Sequence, residues 1–302
     1  MAGWSRVGAS LHQPGRLRVY PHAICRRSCK DWCRGDRPHI TTTRSPLKGQ
    51  PEHRMSKFLT PRSQPTQCAS CPIRQNALFQ VVPVSYIQDA QSRRTDQYRL
   101  AARRMLYEEG DPASMAFTLW EGWVMLYRAD ADGRRQGLRI ALPGDFLGYM
   151  PPGSRQVHHS ALAITNLVVC GFRQEGLHEM MAKHADLAAH ITRIQARYMV
   201  SCQNHMLGLG RKSAEQRIAC LIAELFHRLK HRQLIPEDAT SMPFPLTQEM
   251  IGDMTGLTPV HTNRVLRKLR AEGILRQERL RLEILDLDRL VTLGEYEGEE
   301  TL

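Results

Sequence analysis

The sequence predicts an α+β chain in which an antiparallel β-domain is followed by a long helix and then by two short helices joined by a tight turn. Three observations carry this. From Arg103 to Leu177, short apolar runs alternate with turn signals, as in "MAFTLWEGWVMLYRADADGRRQGLRIALPGDFLGY" and "ALAITNLVVCGF". From about Glu175 to Gly208, apolar residues recur at steps of three and four, the spacing of one helical face. Within "LTQEMIGDMTGLTPVHTNRVLRKLR", two helix-start signals flank a glycine stop.

Residues 1–54 are rich in Arg, Pro, Ser and Thr and have no sustained hydrophobic period, the composition of a disordered basic extension. Met55 follows directly, so the working protein is expected to start there, with the preceding stretch either an arm or upstream sequence not normally translated. That stretch holds 11 Lys/Arg against 3 Asp/Glu, so eight of the twelve surplus positive charges lie in it. Global basicity is therefore weak support for a nucleic-acid partner. The local excess over residues 258–281, seven Lys/Arg against two Glu, is stronger support. No run approaches the roughly 18 apolar residues of a membrane span, and no continuous apolar signal segment is present. The expected location is a reducing cytoplasm with no membrane partner, where eight cysteines read as free thiols or metal ligands rather than a disulfide framework.

In the β-domain, Asp132-Gly133 between two runs is a hairpin signal, and Gly122 and Pro143-Gly144-Asp145 punctuate the rest. The helix after it aligns Leu187, Ile191, Ile194, Tyr198 and Cys202. Such a stripe can pack on the β-domain or form a dimer seam. Its place ahead of the helix pair favours the seam, because readers of this kind bind paired half-sites. Residues 213–229 form another amphipathic helix, capped by Ser213.

In the helix pair, Thr247 caps a short helix bearing Met250, Ile251 and Met254, which Gly256 ends in a left-handed conformation, with the small Gly252 four positions earlier. Thr258 caps the next helix, and Pro259 sits at N1, where a missing N–H does no harm. At 100° per residue, Thr262, Val265, Leu266 and Leu269 gather on one side. Val260, His261, Arg264, Arg267 and Lys268 gather opposite, with Asn263 and Arg270 on the flank. This pattern fits a helix-turn-helix, whose second helix lies in the DNA major groove. The competing reading is two ordinary amphipathic helices with a solvated basic face, which leaves the two glycines and the Thr-Pro cap unexplained. On the first reading Arg264 and His261, with Val260, reach base edges. Arg267, Lys268 and Arg270 hold phosphates, and Thr247, Thr258 and Asn263 belong to the same surface. The net-acidic stretch from Glu283 to Glu300 is expected to be solvated surface.

A Cys-x-x-Cys leader, a β-domain with "LPGDFLG", a long helix, "GRKSAEQRIACLIAEL" and then "PFPLTQEMIGDMTGLTPVHTNRVLRKLRAEGIL" together resemble the Crp/Fnr family of bacterial transcription regulators over roughly residues 66–290. The resemblance implies a jelly-roll-like, cyclic nucleotide-binding-like β-roll sensor over 66–177. It implies a dimerisation helix over 178–210, with Leu187 to Leu207 at its centre, and a winged helix-turn-helix over 211–292. Pro259 to Glu272 would be the recognition helix and "ILRQERLRLEIL" the wing. The implied partners are double-stranded DNA, a second copy of the chain and RNA polymerase. Arg264 falls where the family keeps a base-contacting arginine, suited to guanine O6 and N7. Val260 replaces a glutamate able to accept from cytosine N4, so the half-site should differ from that of the best-known members.

Relatives that bind cyclic nucleotides hold the ribose with a glutamate where this sequence has Tyr149, and the phosphate with an Arg-Ser pair where "QVHHSALA" offers Val157 and His158. Cyclic AMP is thus not the expected effector. Gly144, Tyr149 and His158 are the candidate effector pocket for a signal whose chemistry the sequence does not name. Oxygen-sensing relatives hold an iron–sulfur cluster on four cysteines. Cys68, Cys71 and Cys170 match three of them, and Ala77 stands at the remaining position. A four-thiolate cluster is one ligand short unless Cys25, Cys29 or Cys33 supplies it. Zinc, a redox disulfide, and a plain structural role with Cys170 as a buried small hydrophobe all stay open. A cupin-like metalloenzyme on His158, His159 and Cys170 is disfavoured, because adjacent residues on a strand face opposite ways. The expectation is a regulator, not an enzyme.

Overall fold

The computed structural model describes residues 58–298; the Met55 start, the basic extension and Cys25, Cys29 and Cys33 lie outside them. Strand β1 (Thr60–Pro61) and a series of single 3-10 turns between Cys68 and Tyr86 lead into the short helix α1 (Ile87–Ser92). Strands β2 (Arg94–Leu100), β3 (Met105–Tyr107), β4 (Met115–Glu121) and β5 (Val124–Ala129) follow. Then come β6 (Arg135–Ala141), β7 (Phe146–Leu147), β8 (Ser160–Ala163) and β9 (Leu167–Arg173). Strand β2 precedes Arg103, where the apolar runs start, and lies inside the bounds 66–177; it carries three charged residues and so lacks an apolar run.

These strands form two antiparallel sheets, ordered β1-β2-β9-β4-β7 and β3-β8-β5-β6. Alternation along each strand sends Tyr98, Leu119, Val124, Leu147, Ala161 and Val169 into the core between them. The β5–β6 hairpin closes at residues 130–134, where Asp130 N donates to Arg134 O at 2.9 Å and Gly133 adopts φ 79°. Cys170 and Phe172 share a further cluster with Leu78 and Phe79 of the leader and with apolar residues of α2 (Gln174–Lys183) and α3 (Ala185–Arg211). Among the described residues, no helix is long and apolar enough to cross a membrane.

The long helix uses part of the expected seam within the chain. Leu187, Ile191, Ile194 and Tyr198 pack into the cluster with Phe79 and Phe172, so this part of the stripe faces the β-roll, and only Cys202 stays exposed. Sequence spacing defines a stripe but cannot say which of two apolar surfaces it meets. The exposed apolar residues of α3 are Met199, Val200, Met206 and Leu207, towards its C-terminal end.

Helix α4 (Ala214–His231) opens on a full capping box, Ser213 and Gln216 each satisfying the other's backbone N–H. Its Ile218, Leu221, Ile222 and Leu225 share one core cluster with Met125, Ile140 and Leu142 of the β-roll and with the helix pair. Downstream lie β10 (Ser241–Pro243), α5 (Gln248–Thr255), α6 (Pro259–Ala271), β11 (Leu275–Glu278), β12 (Arg281–Ile284) and α7 (Leu287–Gly294). The wing is a three-stranded sheet in the order β10-β12-β11, one strand more than "ILRQERLRLEIL" alone supplies. The acidic stretch is also corrected. It contains α7, capped by Asp286, whose Leu290 is fully buried and whose Gly294 backs onto α4 so closely that a Cβ would stand 2.6 Å from Cys220 N.

Candidate nucleic-acid interface and sensor site

Helix α6 is set by local chemistry at both ends. The Thr258 hydroxyl accepts from His261 N at 3.3 Å, and the Thr247 hydroxyl caps α5 by accepting from Met250 N at 3.2 Å. Between the helices Gly256 takes φ 64°, the left-handed stop. Gly252 is needed for closeness, because a Cβ there would overlap the carbonyl oxygen of Leu257 in the turn. Thr262, Val265, Leu266 and Leu269 are buried against α5 and α4.

The opposite face is open. Val260, Arg264, Arg267, Lys268 and Arg270 are exposed, and His261 and Asn263 are half-buried. Val260 is 72% exposed, an apolar side chain outside the hydrophobic clusters. Lys268 differs from the other cations because its Nζ sits 2.7 Å from the Glu215 carboxylate, and this hydrogen bond raises its pKa. Beside α6 the wing projects a two-residue turn in which Arg279 adopts φ 50° and Leu280 is exposed.

On the β-roll, Cys170 (β9) lies in register between Gln97 (β2) and Thr118 (β4), and Gln97 Nε2 donates to Cys170 Sγ at 3.6 Å. Burial pushes the Cys170 thiol up to about 11 against an opposing pull from Arg94, and burial also raises Cys68. Ala77 is in the core and offers no ligand. Among the described residues, no group of three His, Cys, Asp or Glu side chains is arranged to hold a metal ion. This donor set does not fit a four-thiolate cluster.

The three effector-pocket candidates have different surroundings. Gly144, with φ 97°, faces the leader, a Cβ there standing 2.6 Å from Asn76 O. Tyr149 lies against Phe146 and His178. His158 is exposed, and its neighbour His159 turns inward to meet Tyr107 Oη at 2.9 Å.

What the sequence reading missed is an ion cluster joining the β-roll to α4. Asp145, fully buried, is paired with Arg139, with Arg228 at 3.1 Å and with Arg232 at 2.7 Å. Burial alone would raise its pKa, but the three guanidiniums outweigh that and hold the carboxyl well below the usual range. The Asp145 carboxylate also accepts from Leu142 N at 2.8 Å. In sequence Asp145 looks like an ordinary turn residue after Pro-Gly, and its partners Arg228 on α4 and Arg232 at the helix end lie more than eighty positions away.

Comparison with known proteins agrees with this architecture. Residues 98–184 match the model of the cyclic nucleotide-binding domain and residues 216–293 that of the Crp-like helix-turn-helix domain. The chain is 31% identical over 177 residues to the transcriptional activatory protein AadR of Rhodopseudomonas palustris, covering 59% of this chain and 72% of that one. It is 27% identical over 229 residues to the nitrogen fixation regulation protein FixK of Bradyrhizobium diazoefficiens, covering 75% and 93%. The solved structure of FixK2 from Bradyrhizobium japonicum superposes with a TM-score of 0.59 at 27% identity, over 67% of this chain and 98% of that one. With a β-roll, a long helix and a capped reader in that order, the chain belongs to the Crp/Fnr family and is a DNA-binding transcription regulator.

Proposed function

We propose that the protein works in the cytoplasm as a homodimer that sets one α6 from each copy into successive turns of the major groove of double-stranded DNA. In this reading residues 66–177 sense, 178–210 pair the two copies and 211–292 read DNA. Arg264, His261 and Val260 meet base edges, while Arg267, Lys268 and Arg270 hold phosphates. The single observation that carries it is the exposed basic face of α6 on a helix fixed by its own caps and core. Pairing is supported by Met199, Val200, Met206 and Leu207, an exposed apolar set on α3 that solvent disfavours. RNA polymerase is a partner by family resemblance. The protein acts by binding and not by catalysis.

The cysteine leader has a short route to the reader. Asn76, five positions past Cys71, donates to Arg232 O at 2.8 Å, and Arg232 in turn holds Asp145. Selection from random-sequence DNA followed by footprinting tests the reading. A two-fold symmetric site with half-sites about 10 base pairs apart is expected, together with a two-chain mass in solution. A monomer with no sequence preference would refute it.

A further inference from the structure

A cavity of about 430 Å³ lies where α3, α4, β6 and the end of α5 converge. Its walls divide by chemistry. Leu138, Leu221, Leu225 and Met254 make an apolar floor, while Arg139, Arg197, Lys212 and Arg217 bring four cations to it. Two of these guanidiniums are incompletely satisfied. Arg139, nine-tenths buried, spends its charge on Asp145 but leaves Nη1 with no partner. Arg217 Nε is likewise buried and unpartnered. A buried N–H without an acceptor is costly, and no side chain nearby corrects it. Two of the three carboxylates at the cavity are engaged, Glu224 accepting from Arg228 and Glu295 from Gln216, and the third, Glu297, is exposed at its edge. Lys212 donates to the carbonyls of Gly294 and Glu295, which fixes the tail as one wall.

We propose that this cavity binds a small molecule with one anionic head, carboxylate or phosphate, on an apolar body, and that the ligand acts on the reader. Arg217 would clamp the head, with Arg197 on the α3 wall as the second cation. The consequence for DNA follows from placement, since a Cβ on Gly256, the stop between α5 and α6, would stand 3.5 Å from Arg217 Nη1. Whatever orients Arg217 therefore bears on the turn that sets the angle of α6. Val200 and Leu207 line the cavity from the face assigned above to the second copy, so the proposal rests on that reading only for closure of the mouth.

The test is calorimetric titration of the full chain with phenyl phosphate, in which head and body are joined, beside inorganic phosphate and phenol. Saturable binding of one phenyl phosphate per chain is expected, with both fragments weaker. Arg217→Gln should weaken it about tenfold or more, the loss of one charge-assisted clamp. Ser201→Phe, on the α3 wall, should abolish it in protein that keeps its two-chain mass. No saturable heat in the wild type, equal affinity in both variants, or inorganic phosphate binding as tightly would each overturn the proposal. The titration contains no DNA, so its failure leaves the reading of α6 standing, and loss of DNA binding would not touch it.

Discussion

Arg264 is exposed on a helix whose other face holds the reader's core, so its removal deletes a contact without touching the fold. Arg264→Ala is expected to cost about 1–3 kcal/mol on the selected site and to relax one base pair. Titrations against that site and random DNA decide it, since equal losses on both would sink the base-reading role. Val260, outside the hydrophobic clusters, can touch only a thymine methyl. Val260→Glu restores an acceptor and should move the selected base pair towards cytosine. Lys268 starts from a different state, because it must leave Glu215 before it reaches a phosphate. Glu215→Gln is thus expected to strengthen binding to all sequences alike and to steepen log K against log salt by at most about 0.9, one phosphate contact. An unchanged slope would show that the pair persists on DNA.

Elements with local causes were legible. Thr258-Pro259, Thr247 and Gly256 fix helix ends through neighbours in sequence, and Asp132-Gly133 marks a hairpin for the same reason. Elements with distant causes were not. Helix α7 lies in an acidic stretch and is held by a buried Leu290 and a glycine against α4, while the α3 stripe has two candidate surfaces that only the fold distinguishes. Gly252 illustrates how magnitudes settle a prediction. Alanine there gains about 1 kcal/mol of helix propensity, yet its Cβ meets a backbone oxygen that cannot swing away. Overpacking of about 1–3 kcal/mol should win, so Gly252→Ala is expected to melt lower, and a higher melting temperature would show that the turn can give. On α3, His190 is buried against Gln80, and burial, aided by Arg193 and Arg197, lowers its pKa to about 4. The folded protein therefore resists a proton the unfolded chain accepts near 6.5. Stability is full above that pH and falls as pH drops through about 4. His190→Gln should flatten urea midpoints between pH 7 and pH 5, and an unaltered slope would exclude His190 as the cause.

Across the whole molecule, sensor and reader are joined at several places. Met125, Ile140 and Leu142 share a core with α4, and Asp145 ties β6 and its following turn to Arg228 and Arg232. A third tie lies at the hairpin, where Arg135 pairs with Glu249 at 2.7 Å and a Cβ on Gly137 would overlap Met254 of α5. None of these was readable beforehand, since a buried charge cluster requires partners that only the fold brings close. Its removal has a definite sign. Asp145→Asn leaves Arg139 buried without its counter-ion and Arg228 with Glu224 alone, a change expected to destabilise by about 3–5 kcal/mol. Arg228→Met on that background removes one of the two buried charges that lost Asp145 and should recover part of the loss, whereas Arg228→Met alone leaves Asp145 its other two arginines and the partly exposed Glu224 in reach of water, and costs less. If Asp145 is the joint, the two substitutions couple by more than about 0.5 kcal/mol in denaturant unfolding. If the double variant equals the sum of the singles, the cluster is not one cooperative unit, and the shared apolar core alone must carry a signal from the β-roll to α6.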